Sequence, residues 1–227
     1  MAETAILVDI NRYDCRLAIM RLEGDRRPVF LNNRTETCRD TSSFMTLLAE
    51  YLDAYEGARP RLLGLSIDGL ATGTEVKPTH QGFGVDTEVL TAQCGFDDIF
   101  VMNSAASVAP SLPWVEASDV MPLARPGEAQ PPTFGVGRDS LIACGDGMGV
   151  ANLEIREGTD PTIRDSEAGH IALAMPSRRW TNMLGALVDR FGFVSRGHVL
   201  TYSGLLHIYE ALCTVEDIVP TTFTPKE

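Results

Sequence analysis

Glu167 and His170 stand three residues apart in the segment Ser166-Glu167-Ala168-Gly169-His170, in a chain with only four histidines. A carboxylate accepts hydrogen bonds and an imidazole can donate them. The pair can therefore grip adjacent hydroxyl groups, or simply engage each other. Gly145, Gly147 and Gly149 alternate along Gly145-Asp146-Gly147-Met148-Gly149. Backbone N–H groups at glycine can approach an anion closely because no Cβ intervenes. Asp-Gly is also a hairpin turn signal by itself, and the Asp146 carboxylate should repel phosphate, so a plain hairpin is the competing reading. Asp9 ends an apolar run, where it can act as a local cap. Asn103 and Ser104 end another, just before a segment that can begin a helix at Ala105. Nothing matches G-x-S-x-G, H-E-x-x-H or the P-loop pattern, and Gly135-Val136-Gly137 is a weak signal for a nucleotide loop.

These residues need elements to hold them. The apolar run Ala5–Ile10 reads as a buried strand and Cys15–Leu22 as the next, with a polar turn over 11–14. Pro28–Leu31 reads as a third strand. Thr41-Ser42-Ser43 can cap a helix whose Phe44, Leu47, Leu48, Tyr51 and Leu52 share one face. Arg61–Ile67 and Asp98–Met102 read as strands, with a helix from Asp86 through Cys94 between them. Strands are then expected at Thr133–Val136, Ser140–Cys144 and Gly149–Glu154, and helices at Trp180–Phe191 and Tyr202–Leu212. Pro220–Glu227 reads as a loose tail.

A hairpin meander followed by strand–helix alternation favours a mixed α/β sheet with flanking helices. Five of the thirteen prolines (Pro113, Pro122, Pro126, Pro131 and Pro132) fall within 113–132, which reads as a linker or loop. The expected domains are 1–112 and 133–227, two similar halves with the second cut short.

The chain has 227 residues and a formal net charge of −12. That charge argues against a non-specific nucleic-acid binder or an anionic-membrane binder. Cys15, Cys38, Cys94, Cys144 and Cys213 are odd in number and lack a C-x-x-C pair, so they read as reduced thiols with no disulfide framework and no metal site. No signal peptide or membrane-length apolar run is visible, and a cytoplasmic location is expected.

Five segments, in order, resemble the bacterial glucokinase family. Asp9-Ile10-Asn11-Arg12-Tyr13-Asp14-Cys15-Arg16 resembles its opening phosphate hairpin, D-x-G-G-T-N-x-R. Cys94-Gly95-Phe96 with Ile99–Ala105 resembles the strand ending in an Asn-Asp pair. Gly145–Ala151 resembles the second phosphate turn, G-T-G-x-G-x-A. Ser166–His170 resembles the sugar-binding E-G-G-H, and Val199–Leu205 with Tyr209 resembles V-L-S-G-x-G-L…Y.

The resemblance implies an actin-like, ribonuclease H-like fold with a truncated second domain, since family members continue past residue 227. It implies a hexose held by Asn103, Glu167 and His170, and a phosphate or nucleotide site at Asp9, Gly145, Gly147 and Gly149. It also places departures. Asn11, Arg12 and Tyr13 replace two glycines and a threonine. Ser104 falls on the catalytic aspartate, and a serine hydroxyl is no base near neutral pH without an activator. Gly197 falls on a second sugar-binding glutamate, with His198 beside it. The expected function is a non-catalytic glucokinase-like protein binding a hexose or a protein partner, with no certain cofactor. The alternative is an active glucokinase using Mg-ATP. A shortened second half is expected to leave apolar surface that a homodimer or other partner covers.

Overall fold

The structure is a computed structural model that describes residues 3–11, 14–24, 27–70, 74–78, 83–121, 123, 135–174 and 177–221. By internal contacts the chain divides into two compact units, 1–132 and 133–227.

The first unit opens with a meander, β1 (Glu3–Ile10), β2 (Cys15–Leu22) and β3 (Val29–Glu36). Helix α1 (Thr41–Asp53) leads to β4 (Leu62–Ile67). Three short strands follow, β5 (Gly69–Leu70), β6 (Glu75–Pro78) and β7 (Val85–Asp86). Then come α2 (Thr87–Cys94), β8 (Asp98–Asn103), α3 (Ser104–Val108) and 3-10 turns over Ala109–Trp114 and Ala117–Asp119. The main sheet has the order β3-β2-β1-β4-β8. Its first three strands are antiparallel neighbours, while β1, β4 and β8 run parallel.

Alternation explains the core. Ile6, Val8 and Ile10 of β1, Cys15, Leu17 and Ile19 of β2, and Leu63, Leu65 and Ile67 of β4 are all buried and belong to one cluster. Phe44, Leu47, Leu48, Tyr51 and Leu52 of α1 and Leu90 and Cys94 of α2 complete it. Truncating fully buried Phe44 or Leu48 to alanine costs roughly 3–5 kcal/mol.

The cap of α1 is Asp40, one residue before the expected Thr41–Ser43 cluster. Its carboxylate accepts from Ser43 N at 2.7 Å, and Ser43 Oγ closes the box on the Asp40 side. Strand β3 runs five residues past the expected Leu31. The ladder with β2 shifts register between Leu17 and Ile19, and Asn32 takes φ 54° at that irregularity. Asn tolerates the left-handed region, so the strand continues through the bulge, and Tyr51 Oη fastens it by donating to Asn32 O at 2.8 Å.

The second unit repeats the meander with β9 (Gly137–Cys144), β10 (Met148–Ile155) and β11 (Thr162–Ser166), in the order β11-β10-β9, all antiparallel. A single strand replaces the two expected over 133–144. Gly135 and Val136 are outside it, and 133–134 lie outside the described residues. Strand β11 was not expected; its polar composition hides it. Helices α4 (Arg178–Phe191) and α5 (Tyr202–Val215) close a small core of Met183, Leu187, Val194, Val199 and Ala211. The Arg190 and Glu210 side chains pair between these helices. No helix among the described residues is long and apolar enough to cross a membrane.

Candidate functional site

In the first unit, Asp9, Ser66 and Met102 are register neighbours across β1, β4 and β8, and Ile67 pairs with Asn103. The carboxyl ends of three parallel strands thus deliver Asp9, Ser66, Asn103 and Ser104 to one edge. In open α/β sheets that edge is where ligands bind. Ser66 Oγ donates to Asp9 Oδ1 at 2.7 Å. Ser104 Oγ is 3.5 Å from Ser66 Oγ. Ser107 Oγ is 3.1 Å from Ser66 Oγ and donates to Ser104 O at 2.8 Å. Asn103 caps α3, its Oδ1 accepting from Ala105 N at 2.9 Å, while its Nδ2 donates to Gly69 O at 3.1 Å.

The turn between β1 and β2 closes on itself. Asn11 N donates to Asp14 O at 3.0 Å, and Asp14 N donates to Asn11 Oδ1 at 2.9 Å. The Asn11 side chain therefore takes up a turn N–H that a glycine would leave to a ligand. Arg12 and Tyr13 lie outside the described residues.

In the second unit, Gly145 and Gly147 close the β9–β10 hairpin, Gly145 N donating to Gly147 O at 2.9 Å. Gly149 is already in β10, opposite Ala143. A Cβ on Gly145 would meet only the Tyr202 ring at 3.9 Å, so packing does not demand glycine there. Gly145 O accepts from Tyr202 N at 2.9 Å in the first turn of α5. Glu167 precedes and His170 ends a 3-10 turn over Ala168–His170, with Glu167 Oε2 and His170 Nε2 3.4 Å apart and both side chains almost half exposed.

Gly169, inside that turn, is required. A Cβ there would lie 2.0 Å from Met148 O. A Cβ on Gly197 would lie 3.4 Å from Gly169 O. The strand β10, the Glu167–His170 turn and the Arg196–His198 turn are therefore close neighbours. His198 is committed to the fold: its Nδ1 accepts from Ser195 N at 3.0 Å, and its ring stacks on Phe191 with centroids 4.9 Å apart. Among the described residues no group of three or more His, Cys, Asp or Glu side chains is placed to hold a metal.

Sequence reasoning missed Ser66 and Ser107. Ser66 sits inside an apolar strand and gains meaning only from its register with Asp9. Ser107 looked like a helix residue; its spacing of three from Ser104 was the available signal.

The chain is 28% identical over 181 residues to a glucokinase of Nitrobacter hamburgensis, covering 79% of this chain and 55% of that protein. It is 27% identical over 209 residues to a glucokinase of Aromatoleum aromaticum, covering 91% of this chain and 60% of that one. It thus spans a little over half the length of these relatives. Among solved structures, glucokinase from an Antarctic psychrotroph superposes with a TM-score of 0.75 at 21% identity, over 97% of this chain and 67% of that chain. Glucokinase from Balamuthia mandrillaris in complex with glucose gives 0.74 at 18% identity, over 96% and 64%. These likenesses establish the actin-like sugar-kinase fold. The glucokinase family model matches residues 6–227, nearly the whole sequence, and the chain belongs to the glucokinase family.

Proposed function

We propose that this chain binds a hexose through the family's sugar site and has lost efficient phosphoryl transfer. The observation that carries the reading is Ser104 at the position of the family's base. Its hydroxyl contacts another hydroxyl, Ser66, rather than a carboxylate. A positioned general base contributes about 10²–10⁴-fold to such a reaction, and serine does not supply it near neutral pH. The closed turn at Asn11 supports the same reading, because the turn's own side chain occupies an N–H that would otherwise meet phosphate.

The candidate side chains for hexose hydroxyls are Asn103 of the first unit and Glu167 and His170 of the second. Each side chain has the donor or acceptor capacity for the task. The test is calorimetric titration of the purified protein with glucose, then with Mg-ATP. Glucose binding without turnover in a coupled assay supports the reading. Turnover at ordinary kinase rates, near 1–100 per second, would sink it.

The second reading is an active glucokinase. Retained Asp9 and the glycines of the β9–β10 hairpin favour it. Asp9 would hold magnesium, which keeps few protein ligands and relies on substrate phosphates. Magnesium would neutralise charge on the transferred phosphoryl group. A homodimer, or another protein partner covering apolar surface, fits either reading and is tested by light scattering.

A further inference from the structure

Three arginines converge on one carboxylate in the second-unit sheet. Arg138 of β9 is the cross-strand partner of Glu154 in β10. Arg164 of β11 pairs with Asn152, two residues back along β10 and on the same face as Glu154. Arg156 follows the end of β10 and turns back to the same carboxylate. Glu154 Oε1 accepts from Arg138 Nε at 3.0 Å, and from Arg156 Nε and Nη2 at 3.0 and 2.7 Å. Arg164 Nη2 lies 3.9 Å from Glu154 Oε2. The Glu154 side chain is only 13% exposed, whereas those of Arg138, Arg156 and Arg164 are 76%, 65% and 70% exposed. Hydrogen bonds from Arg156 first, then Arg138, hold the Glu154 carboxyl below the ordinary carboxylate range, so it stays ionised at the centre of the group.

Charge and donors are left over. A guanidinium has five N–H donors and no acceptor. Glu154 takes one from Arg138 and two from Arg156, and Arg164 stands at ion-pair distance only. Beside Arg164, Asn152 Oδ1 accepts from Ser140 Oγ at 2.7 Å, which leaves the Asn152 amide N–H groups to donate on the same face. Among the described residues, Glu154 is the one carboxylate that pairs with these arginines; Glu157 and Asp160, in the turn that follows, do not. Three positive charges therefore meet one negative charge, in a chain whose formal net charge is −12.

We propose that Arg138, Arg156 and Arg164, ordered by Glu154, form a binding site for a phosphate dianion, free or carried by a small phosphorylated metabolite. Guanidinium forks match phosphate oxygens two at a time, and the excess charge matches the dianion. Glu154 is the positioning residue. It fixes where the guanidiniums stand, so less side-chain freedom is lost when the anion arrives. The site is separate from the Gly145 hairpin and the Glu167–His170 turn. Glu154 lies six residues along β10 from Met148, about 20 Å at the rise of a strand, and β11 delivers Glu167 to the Met148 end.

The experiment is calorimetric titration with inorganic phosphate and with glycerol phosphate, at low salt and without magnesium. The wild-type chain should bind one equivalent. Arg138→Gln and Arg164→Gln should each weaken binding by about 10-fold or more, the loss of a hydrogen bond to a charged group. Arg164→Lys keeps the charge without the fork and should also bind more weakly than the wild type. Arg59→Gln, in the first unit, should change nothing. Tighter binding of glycerol phosphate assigns the site to a phosphorylated metabolite, and tighter binding of inorganic phosphate assigns it to the free ion; either order supports the site. Should one glutamine variant fail to fold, Arg156→Gln carries the test. No binding in the wild type overturns the inference. So does binding that Arg138→Gln and Arg164→Gln leave unchanged, or binding that Arg164→Lys fully retains, which would reduce the contact to diffuse charge attraction.

Discussion

His170 Nε2 stands 3.4 Å from Glu167 Oε2, and His170 N donates to Glu167 O at 2.9 Å across the same turn. The two side chains are oriented by each other yet remain almost half exposed, so they are available to a ligand. Glu167→Gln and His170→Ala should each weaken glucose binding by about 10-fold, read by calorimetry. An exposed ion pair adds at most about 1 kcal/mol to stability, so the melting temperature should move by only a few degrees. Unchanged affinity in both variants would return the pair to a purely local role.

Ser104→Asp reinstates a carboxylate at the end of β8. If the missing base limits catalysis, glucose-dependent ADP release should rise by about 100-fold or more over the wild type in a coupled assay. No gain, with ATP binding also absent by calorimetry, would move the block from the missing base to nucleotide binding.

Glycines of the second unit divide by packing. Gly169→Ala places a Cβ 2.0 Å from Met148 O, and Gly204→Ala places one 2.3 Å from Val199 O. Backbone atoms cannot yield cheaply, so both variants should lose about 3 kcal/mol or more, seen as early unfolding in urea. Gly145→Ala meets nothing closer than 3.9 Å and should melt with the wild type. If it also loses Mg-ATP binding, the glycine serves a ligand rather than the fold.

The Asp40 carboxyl is held below the ordinary carboxylate range, first by the Ser43 backbone N–H and then by the Ser43 hydroxyl. Its folded value lies below its unfolded value, so its contribution is present above the usual carboxylate range and is lost as pH falls through the folded value. Asp40→Asn keeps a cap acceptor without the charge. Its melting temperature should therefore fall less steeply below about pH 4 than that of the wild type.

Thiol reactivity should follow burial. Cys15, fully buried, has its thiol pushed far above the ordinary range, by burial first and by Cys38 second. Burial also raises Cys94 and Cys38. Cys144 is exposed. At neutral pH a thiol reagent should label Cys144 first, and the buried Cys15, Cys94 and Cys213 only after unfolding, as mass spectrometry would show.

The sequence makes the first-unit sheet legible because its strands are short, apolar and alternating, and because α1 carries a clean helical face. It hides elements whose signal is not local. β5 and β7 hold two residues each, too few for periodicity, and β11 is polar along most of its length. The apolar signal of the third strand stops at Leu31, yet the bulge at Asn32 carries the strand on to Glu36. Resemblance brought Asp9, Asn103, Ser104, Glu167 and His170 forward. It could not bring forward Ser66, whose partner is 57 residues away.

That separation has a kinetic side. The two meanders close through turns of a few residues, whereas β4 reaches β1 only after the intervening chain has folded back through α1. Closing the larger loop costs more chain entropy and comes later. The Asp9–Ser66 contact then belongs to a ladder completed after the β1–β2 hairpin. A substitution at Ser66 should speed unfolding while leaving the folding arm of the chevron nearly unmoved.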